Sequence, residues 1–344
     1  MAEHFSGVAG FYPIVNVTDP SSDRSVELVA VINSFNRRQL LERAVSSLAQ
    51  VLRKEQFGFA IMVFDAGSTD GSREFLTAWS KENPGDNLRV LSPSNGHSSF
   101  SEGVNTACSV ALGEFAKCRW LLLYESDNWL GGVQPIEKAI ALLCQQPRLG
   151  AVGFTVRKHT GEPFGYGTRF PSALSLALGQ NVSSLTNLYA PNDSVWQMTD
   201  GIRWRTCDVV FTSPLLVRRK TWEESGGLDA AAFPFSDTDL DWAWRCAKLG
   251  WTMGVIETTD VVHDNLEQLS AWSATRVVDF HRNRFRLLKR HIGKSVGLIT
   301  PFLFLRHLVE TIVLRVKSVR DPVAKEKLAA RREMLRRVWT GYDG

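Results

Sequence analysis

Through the first 150 positions, short continuous apolar runs alternate with stretches in which apolar residues recur every three to four positions. Residues 26–32 form the first run. Leu41, Val45, Leu48 and Leu52 follow at helical spacing, after Asn36 and Gln39, a pair three apart that matches a helix-start signal. The alternation returns as 60–64 with a helix over 72–81, as 88–91 with a helix through 104–112, and as 120–124 with a helix over 133–144. An apolar run bounded by polar residues reads as a buried strand, and a 3.6-residue recurrence as an amphipathic helix. Four strand-then-helix units in series predict a largely parallel sheet covered on both faces, because parallel strands need crossover connections. The expected fold class is α/β. Farther along, 207–217 reads as a strand pair, and SDTDLDWAWR opens a helix running to Lys248.

In open sheets of this kind ligands bind beyond the carboxyl ends of the strands. The segments at those ends are polar: NSFN after the first run, DAGSTDGS after the second, SPSNGHSS after the third and ESDN after the fourth. Each alone reads as ordinary turn and capping chemistry. Four on one rim converge on a single cleft, with Asp65 and Asp127 as its main charges. No Walker loop is present, no Gly-x-Gly-x-x-Gly follows the first run, and Gly165-Tyr166-Gly167 lacks the third glycine. An acidic rim repels a diphosphate unless a divalent cation intervenes, and Mg²⁺ or Mn²⁺ typically take one or two carboxylates and complete their shell with phosphate oxygens.

The five cysteines never occur as Cys-x-x-Cys, which argues against a disulfide framework or a thiolate zinc site and fits a reducing cytoplasm. Residues 1–25 lack the basic and apolar regions of a signal peptide and read as a short extension. The net charge of +4 hides an asymmetry: residues 281–344 carry +11 and the rest −7. Within that tail, 295–320 is apolar but interrupted by Arg306, His307 and Glu310, short of the roughly 18 uninterrupted apolar residues of a spanning helix. Residues 322–339 form a basic helix. It reads either as a solvated helix packed on the main domain or as an in-plane helix drawn to anionic lipid. Nucleic-acid binding lacks a recognisable motif.

NSFN, then FDAGSTDGS, NGH with a later Asn105, ESD at a strand end, FPFSDTDLDWAWRCAKLGW and VVHD resemble, in order over about residues 26–290, the motifs of family 2 glycosyltransferases with the GT-A fold. The resemblance implies a mostly parallel, Rossmann-like sheet flanked by helices, a nucleotide-binding half at 26–130, an acceptor half at 131–290 and a basic amphipathic helical appendage at 291–344. It implies Asp65 at the nucleotide base, Asp127 on a Mn²⁺ or Mg²⁺ ion, and Glu125 in the place of the family's first aspartate, a departure that lengthens the arm toward the ribose. Nucleotide-sugar contacts are also expected from Asn33, Phe35, Asn36, Ser68, Asp70, Asn95, Gly96, Asn105 and Ser126, and His263 is expected to complete the metal shell.

The same resemblance marks 236–241 as the position of the catalytic base, usually two adjacent acids; Ser236 replaces the first, leaving Asp237 as the choice and Asp239 as runner-up. Helix geometry puts Asp237 and Asp241 on one face and Asp239 on another. Arg282 and Arg284 offer charge for phosphates, and Trp242, Trp244 and Trp251 read as core or as a wall to the sugar site. The implied activity is an inverting, metal-dependent transfer of a hexose or deoxyhexose from a nucleoside-diphosphate sugar to a glycan or lipid-linked acceptor, in cell-surface polysaccharide synthesis. It is cytoplasmic or peripheral at the inner face of the membrane, with no nucleic-acid partner. The alternatives are a non-catalytic nucleotide-sugar or glycan binder, and a sugar nucleotidyltransferase, whose glycine-rich loop with Arg and Lys is missing between Asn33 and Arg38.

Overall fold

A computed structural model describes residues 25–93, 98–158, 160–165, 167–185, 194–263 and 274–342. The expected extension at 1–25 falls almost wholly outside them. In chain order the elements are β1 (Val26–Ser34), α1 (Arg38–Leu52), β2 (Gly58–Asp65), α2 (Ser72–Glu82), β3 (Leu88–Leu91), α3 (Phe100–Glu114), β4 (Trp120–Glu125), β5 (Asn128–Leu130), α4 (Gln134–Gln145), β6 (Leu149–Phe154), β7 (Val156–Arg157) and β8 (Pro163–Gly165). There follow α5 (Ala173–Leu185), broken at Gly179, then β9 (Gln197–Thr199), β10 (Ile202–Cys207), β11 (Leu215–Arg218), α6 (Arg219–Ser225), α7 (Thr238–Lys248), β12 (Thr252–Ile256), β13 (Val261–His263), α8 (Ala274–His291), α9 (Thr300–Lys317) and α10 (Pro322–Arg337).

The four strand-and-helix units expected from the apolar pattern are present, and their strands lie parallel in the order β3-β2-β1-β4. The sheet continues β11-β6-β12-β10-β9, with β11 and β10 antiparallel to their neighbours. The segment read as a strand pair within 207–217 is not one: β10 and β11 belong to the same sheet but are separated by β6 and β12. Both strands are apolar runs suited to a buried sheet, and nothing in a single run specifies its neighbour. A second sheet, β5-β13-β7-β8, stands beside the first.

Residues of β1 alternate between two cores. Leu28, Ala30 and Ile32 meet Leu41, Val45, Leu48 and Leu52 of α1, while Val29 and Val31 meet Val104, Ala107 and Ala111 of α3. Both faces of the central strands are therefore covered, which is why they read as continuous rather than alternating apolar runs. Helix α3 opens with a capping box: Ser99 Oγ accepts from the Glu102 amide at 3.2 Å, and Glu102 Oε2 accepts from the Ser99 amide at 2.8 Å. A third cluster forms where α8, α9 and α10 meet, around Leu288, Leu303, Met334 and Tyr342.

Candidate active site

Register brings the rim together. Asn33 of β1 lies opposite Glu125 of β4, and Ser34 opposite Asp65 of β2, so three strands stop at one level. The loops beyond β1 and β2 are stitched to each other. The Asn36 amide donates to Ser68 Oγ at 2.9 Å, and Asn36 Oδ1 accepts from the Thr69 amide at 2.8 Å. The expected cap of α1 by Asn36 is not made: Asn36 has φ 50°, and the Arg38 amide instead donates to Asp70 Oδ2 at 2.8 Å, a cap supplied from the neighbouring loop. Asp70 also accepts from the Ser72 amide and hydroxyl at 3.1 and 2.6 Å. Asp65 is buried and accepts from the Ser68 amide at 3.1 Å.

These bonds shape a cavity of about 410 Å³ lined by Asn33, Phe35, Arg37, Ala66, Glu125 and Ser126 among others. Gly103 of α3 backs it. A Cβ there would lie 2.3 Å from Asn33 Oδ1 and 2.8 Å from the Phe64 ring, so only glycine allows the helix this close.

Beyond β4 the chain turns into β5, which pairs antiparallel with β13 and sets His263 opposite Asn128. This pairing draws a histidine from 135 residues downstream onto the acidic rim, with Nδ1 at 3.0 Å from Asn128 Oδ1, 2.9 Å from Ser213 Oγ and 3.5 Å from Asp127 Oδ1. Ligand atoms of Glu125, Asp127 and His263 all fall within 4.8 Å of one another. Asp127 Oδ1 is buried and accepts no hydrogen bond among the described residues, while Oδ2 accepts from Arg37 Nη1 at 3.1 Å. Two carboxylates and an imidazole suit a divalent ion of the Mn²⁺ type, so the residues fit the metal expected from the sequence. Burial, then the charges of Asp127 and Asp239, holds the Glu125 carboxyl well above the ordinary carboxylate range, against the pull of Thr212 and Arg37.

The three acids around α7 have three environments. Asp237 precedes the helix with φ 60° and is clamped by Arg284 of α8 through two bonds of 2.8 and 3.1 Å. Asp241 is wholly buried and paired with Arg245 and His291, both at 2.8 Å. Asp239 faces a second cavity, about 280 Å³, whose lining includes Glu125, Thr212, Ser213 and His263. Burial, then the Asp237 charge, pushes its carboxyl up to about 6. Of the two base candidates, the structure brings Asp239 to the cleft and ties Asp237 into the frame.

Asn105 is committed to the turn after α6, donating to Leu228 O at 2.7 Å and accepting from its amide at 2.9 Å. Asn95 and Gly96 lie outside the described residues. Arg282 pairs with Asp279 at 2.9 Å, and Arg284 is held by Asp237 rather than offered to phosphates. Trp242, Trp244 and Trp251 are not among the residues lining either cavity: Trp242 is fully buried, Trp244 stacks between Phe170 and His291, and Trp251 donates to Glu224 at 2.8 Å. Sequence reasoning missed Arg37, Thr212 and Ser213. Arg37 carries only its charge as a signal, and the other two are marked by nothing short of the fold that turns them inward.

The family model for glycosyl transferase family 2 matches residues 29–182. The chain is 24% identical over 262 residues to the N-acetylglucosaminyl-diphospho-decaprenol L-rhamnosyltransferase of Mycobacterium tuberculosis, in strains CDC 1551 / Oshkosh and ATCC 25618 / H37Rv, covering 74% of this chain and 81% of the relative. Among solved structures it is similar to the mannosyltransferase PcManGT from Pyrobaculum calidifontis in complex with GDP-Man and Mn²⁺, at TM-score 0.53 and 15% identity over 92% of this chain and 84% of that one. It is also similar to GalNAc-T7 with UDP, GalNAc and Mn²⁺, at TM-score 0.53 and 11% identity over 78% and 48%. With the motifs in order, the sheet carrying them and the acidic rim at its carboxyl edge, the chain carries a glycosyl transferase family 2 domain over residues 29–182 and has the GT-A fold.

Proposed function

We propose that the chain transfers a hexose or deoxyhexose from a nucleoside-diphosphate donor to a hydroxyl of a lipid-linked glycan, by single displacement with inversion, at the inner face of the membrane and in cell-surface polysaccharide synthesis. The observation that carries this reading is the convergence of Glu125, Asp127 and His263 between two cavities, with Asp239 lining the second. The rhamnosyltransferase relative, whose acceptor is a lipid diphosphate sugar, supports the acceptor class. Residues 26–290 form the catalytic region and 291–344 the appendage.

The nucleotide lies in the 410 Å³ cavity against Asn33, Phe35 and Ser126, with the loop braced by Asp65, Ser68, Asn36 and Asp70. Arg37 lines this cavity and pairs with Asp127 at 3.1 Å, a cation beside the place where donor phosphates would lie. Asp127, Glu125 and His263 would hold a Mn²⁺ or Mg²⁺ ion, which would supply Lewis acidity toward the charge of a departing diphosphate. Asp239, with a carboxyl raised toward neutral pH, takes the proton of the attacking acceptor hydroxyl. Asp237 and Arg284 fix the start of α7 and so the aim of Asp239.

The test is donor turnover by the purified full chain. Released nucleoside diphosphate should require Mn²⁺ or Mg²⁺ and disappear in Asp127→Ala, and the product's anomeric configuration, read by NMR, should be opposite to the donor's. A second reading, a non-catalytic nucleotide-sugar binder, is favoured by the Arg37–Asp127 pair, which neutralises the carboxylate without a metal. It requires metal-independent donor binding and no turnover.

A further inference from the structure

Helix α9 turns three of its polar side chains toward the protein, while Arg315 and Lys317 in its last turn are exposed: Arg306 donates to Glu310 at 3.0 Å and to Leu176 O at 2.8 Å, Arg331 of α10 pairs with Glu310 at 2.6 Å, and the fully buried His307 lies 2.8 Å from the Tyr342 hydroxyl. Leu303 is buried in the tail core, but a row of larger apolar side chains faces outward. Phe302, Leu305, Val309, Ile312 and Val316, spaced by three or four residues, are each more than half exposed, and Leu298 just before the helix is 76% exposed. A helix at a water interface shows the opposite arrangement. An apolar stripe along roughly 21 Å of helix marks a surface that is covered in use.

At the N-terminal end of that stripe lies a cavity of about 810 Å³ between α8, the 3-10 turn over Lys294–Ile299 and the turn over Val338–Thr340. Phe285, Leu298 and Trp339 supply its apolar wall and Arg286, Lys289 and Lys294 its charge, with no acid in the lining among the described residues. Lys289, Lys294 and Trp339 are exposed. Apolar stripe and cationic cavity are continuous through Leu298, which belongs to both.

We infer that this face of α9 lies in the interface of an anionic bilayer and that the adjoining cavity receives a phospholipid phosphate headgroup. The stretch 294–317 is long and apolar enough to cross a membrane by length and composition. Crossing would separate Arg306 and Glu310 from α5 and α10, to which they are bonded, whereas lying in the plane buries the apolar face and keeps those pairs. Charge also decides against a second copy as the occupant. Self-association would bring two cationic cavities and two regions of net charge +11 together, while an anionic surface neutralises them. Neither apolar insertion nor a basic patch alone anchors firmly; together they do. The inference does not rest on the transferase reading, yet it serves it. Arg284 on Asp237 and Lys289 at the cavity are five residues apart on α8, about 7.5 Å along its axis, so the candidate base region sits close to the interface where a lipid-linked acceptor is presented.

The test is flotation of the full chain with vesicles of phosphatidylcholine alone or mixed with phosphatidylglycerol, comparing wild type, Leu305→Glu/Val309→Glu and Lys289→Gln/Lys294→Gln. All four positions are exposed, so circular dichroism should be unchanged. Wild type should float with the anionic vesicles and much less with neutral ones. The apolar-face variant should lose flotation on both, and the cation variant should bind anionic vesicles roughly 10- to 30-fold more weakly. Equal binding of all three proteins would overturn the inference, as would equal binding to the two vesicle types. So would a lipid-free dimer, seen by sedimentation, that Leu305→Glu/Val309→Glu dissociates while flotation persists.

Discussion

Replacing Asp237 and Asp239 separately by asparagine should move stability in opposite directions and activity in only one case. The Asp237 carboxylate makes two bonds to Arg284, and both side chains are almost wholly buried. Breaking a buried pair costs about 3–5 kcal/mol, and asparagine keeps one acceptor, so the low end, about 3 kcal/mol, applies to Asp237→Asn. Asp239 is different because its folded-state carboxyl is raised from 3.8 to about 6. A carboxyl raised on folding stabilises the protein fully below its unfolded value and loses that contribution as pH rises through the folded one. Two units correspond to about 3 kcal/mol at 1.36 per unit, which partial exposure reduces to about 1–2. Asp239→Asn escapes that loss, so above pH 7, with chelator present, it should melt about 2–4 °C higher than wild type, and Asp237→Asn about 5 °C lower. At pH 4 the gain in Asp239→Asn should vanish. Calorimetric melting curves at the two pH values give the stabilities, and transfer assays with Mn²⁺ give the rates. Asp239→Asn should lose 10²- to 10⁴-fold in kcat, the usual contribution of a positioned base. If Asp237→Asn instead loses activity and keeps its stability, the reasoning from the Arg284 clamp is refuted.

Transfer activity should show an acid limb near pH 6 in kcat/KM, since Asp239 must be deprotonated to accept a proton; a limb near 4 points to a carboxyl in an ordinary environment. Gly103→Ala forces a methyl against Asn33 Oδ1 and Phe64 and should destabilise by about 1–3 kcal/mol while raising KM for the donor, both read from denaturation and initial rates. Ser99→Ala removes half of the capping box on α3 and should lower stability by about 1 kcal/mol in chemical denaturation with kcat unchanged.

The strands and helices of the first 150 residues are legible in the sequence because both faces of the central sheet are covered, so burial and apolar run length coincide. What the sequence hides is pairing. The neighbours of β10 and β11, the cap of α1 by Asp70 and the arrival of His263 opposite Asn128 all depend on contacts between distant segments. The choice between Asp237 and Asp239 turns on the same kind of information, since Arg284 lies 47 residues from its partner. In the tail, Arg306, His307 and Glu310 look like interruptions of an apolar segment; in the fold they face inward beside Leu303, and a row of apolar residues is exposed.

The central claim is that Asp127 holds a divalent ion. Titration of Mn²⁺ into the full chain with nucleoside diphosphate present, followed by the free-Mn²⁺ electron paramagnetic resonance signal, tests it most directly. Wild type should bind one ion, and Asp127→Ala should weaken binding by at least about 100-fold. Unchanged Mn²⁺ binding in Asp127→Ala would contradict the account.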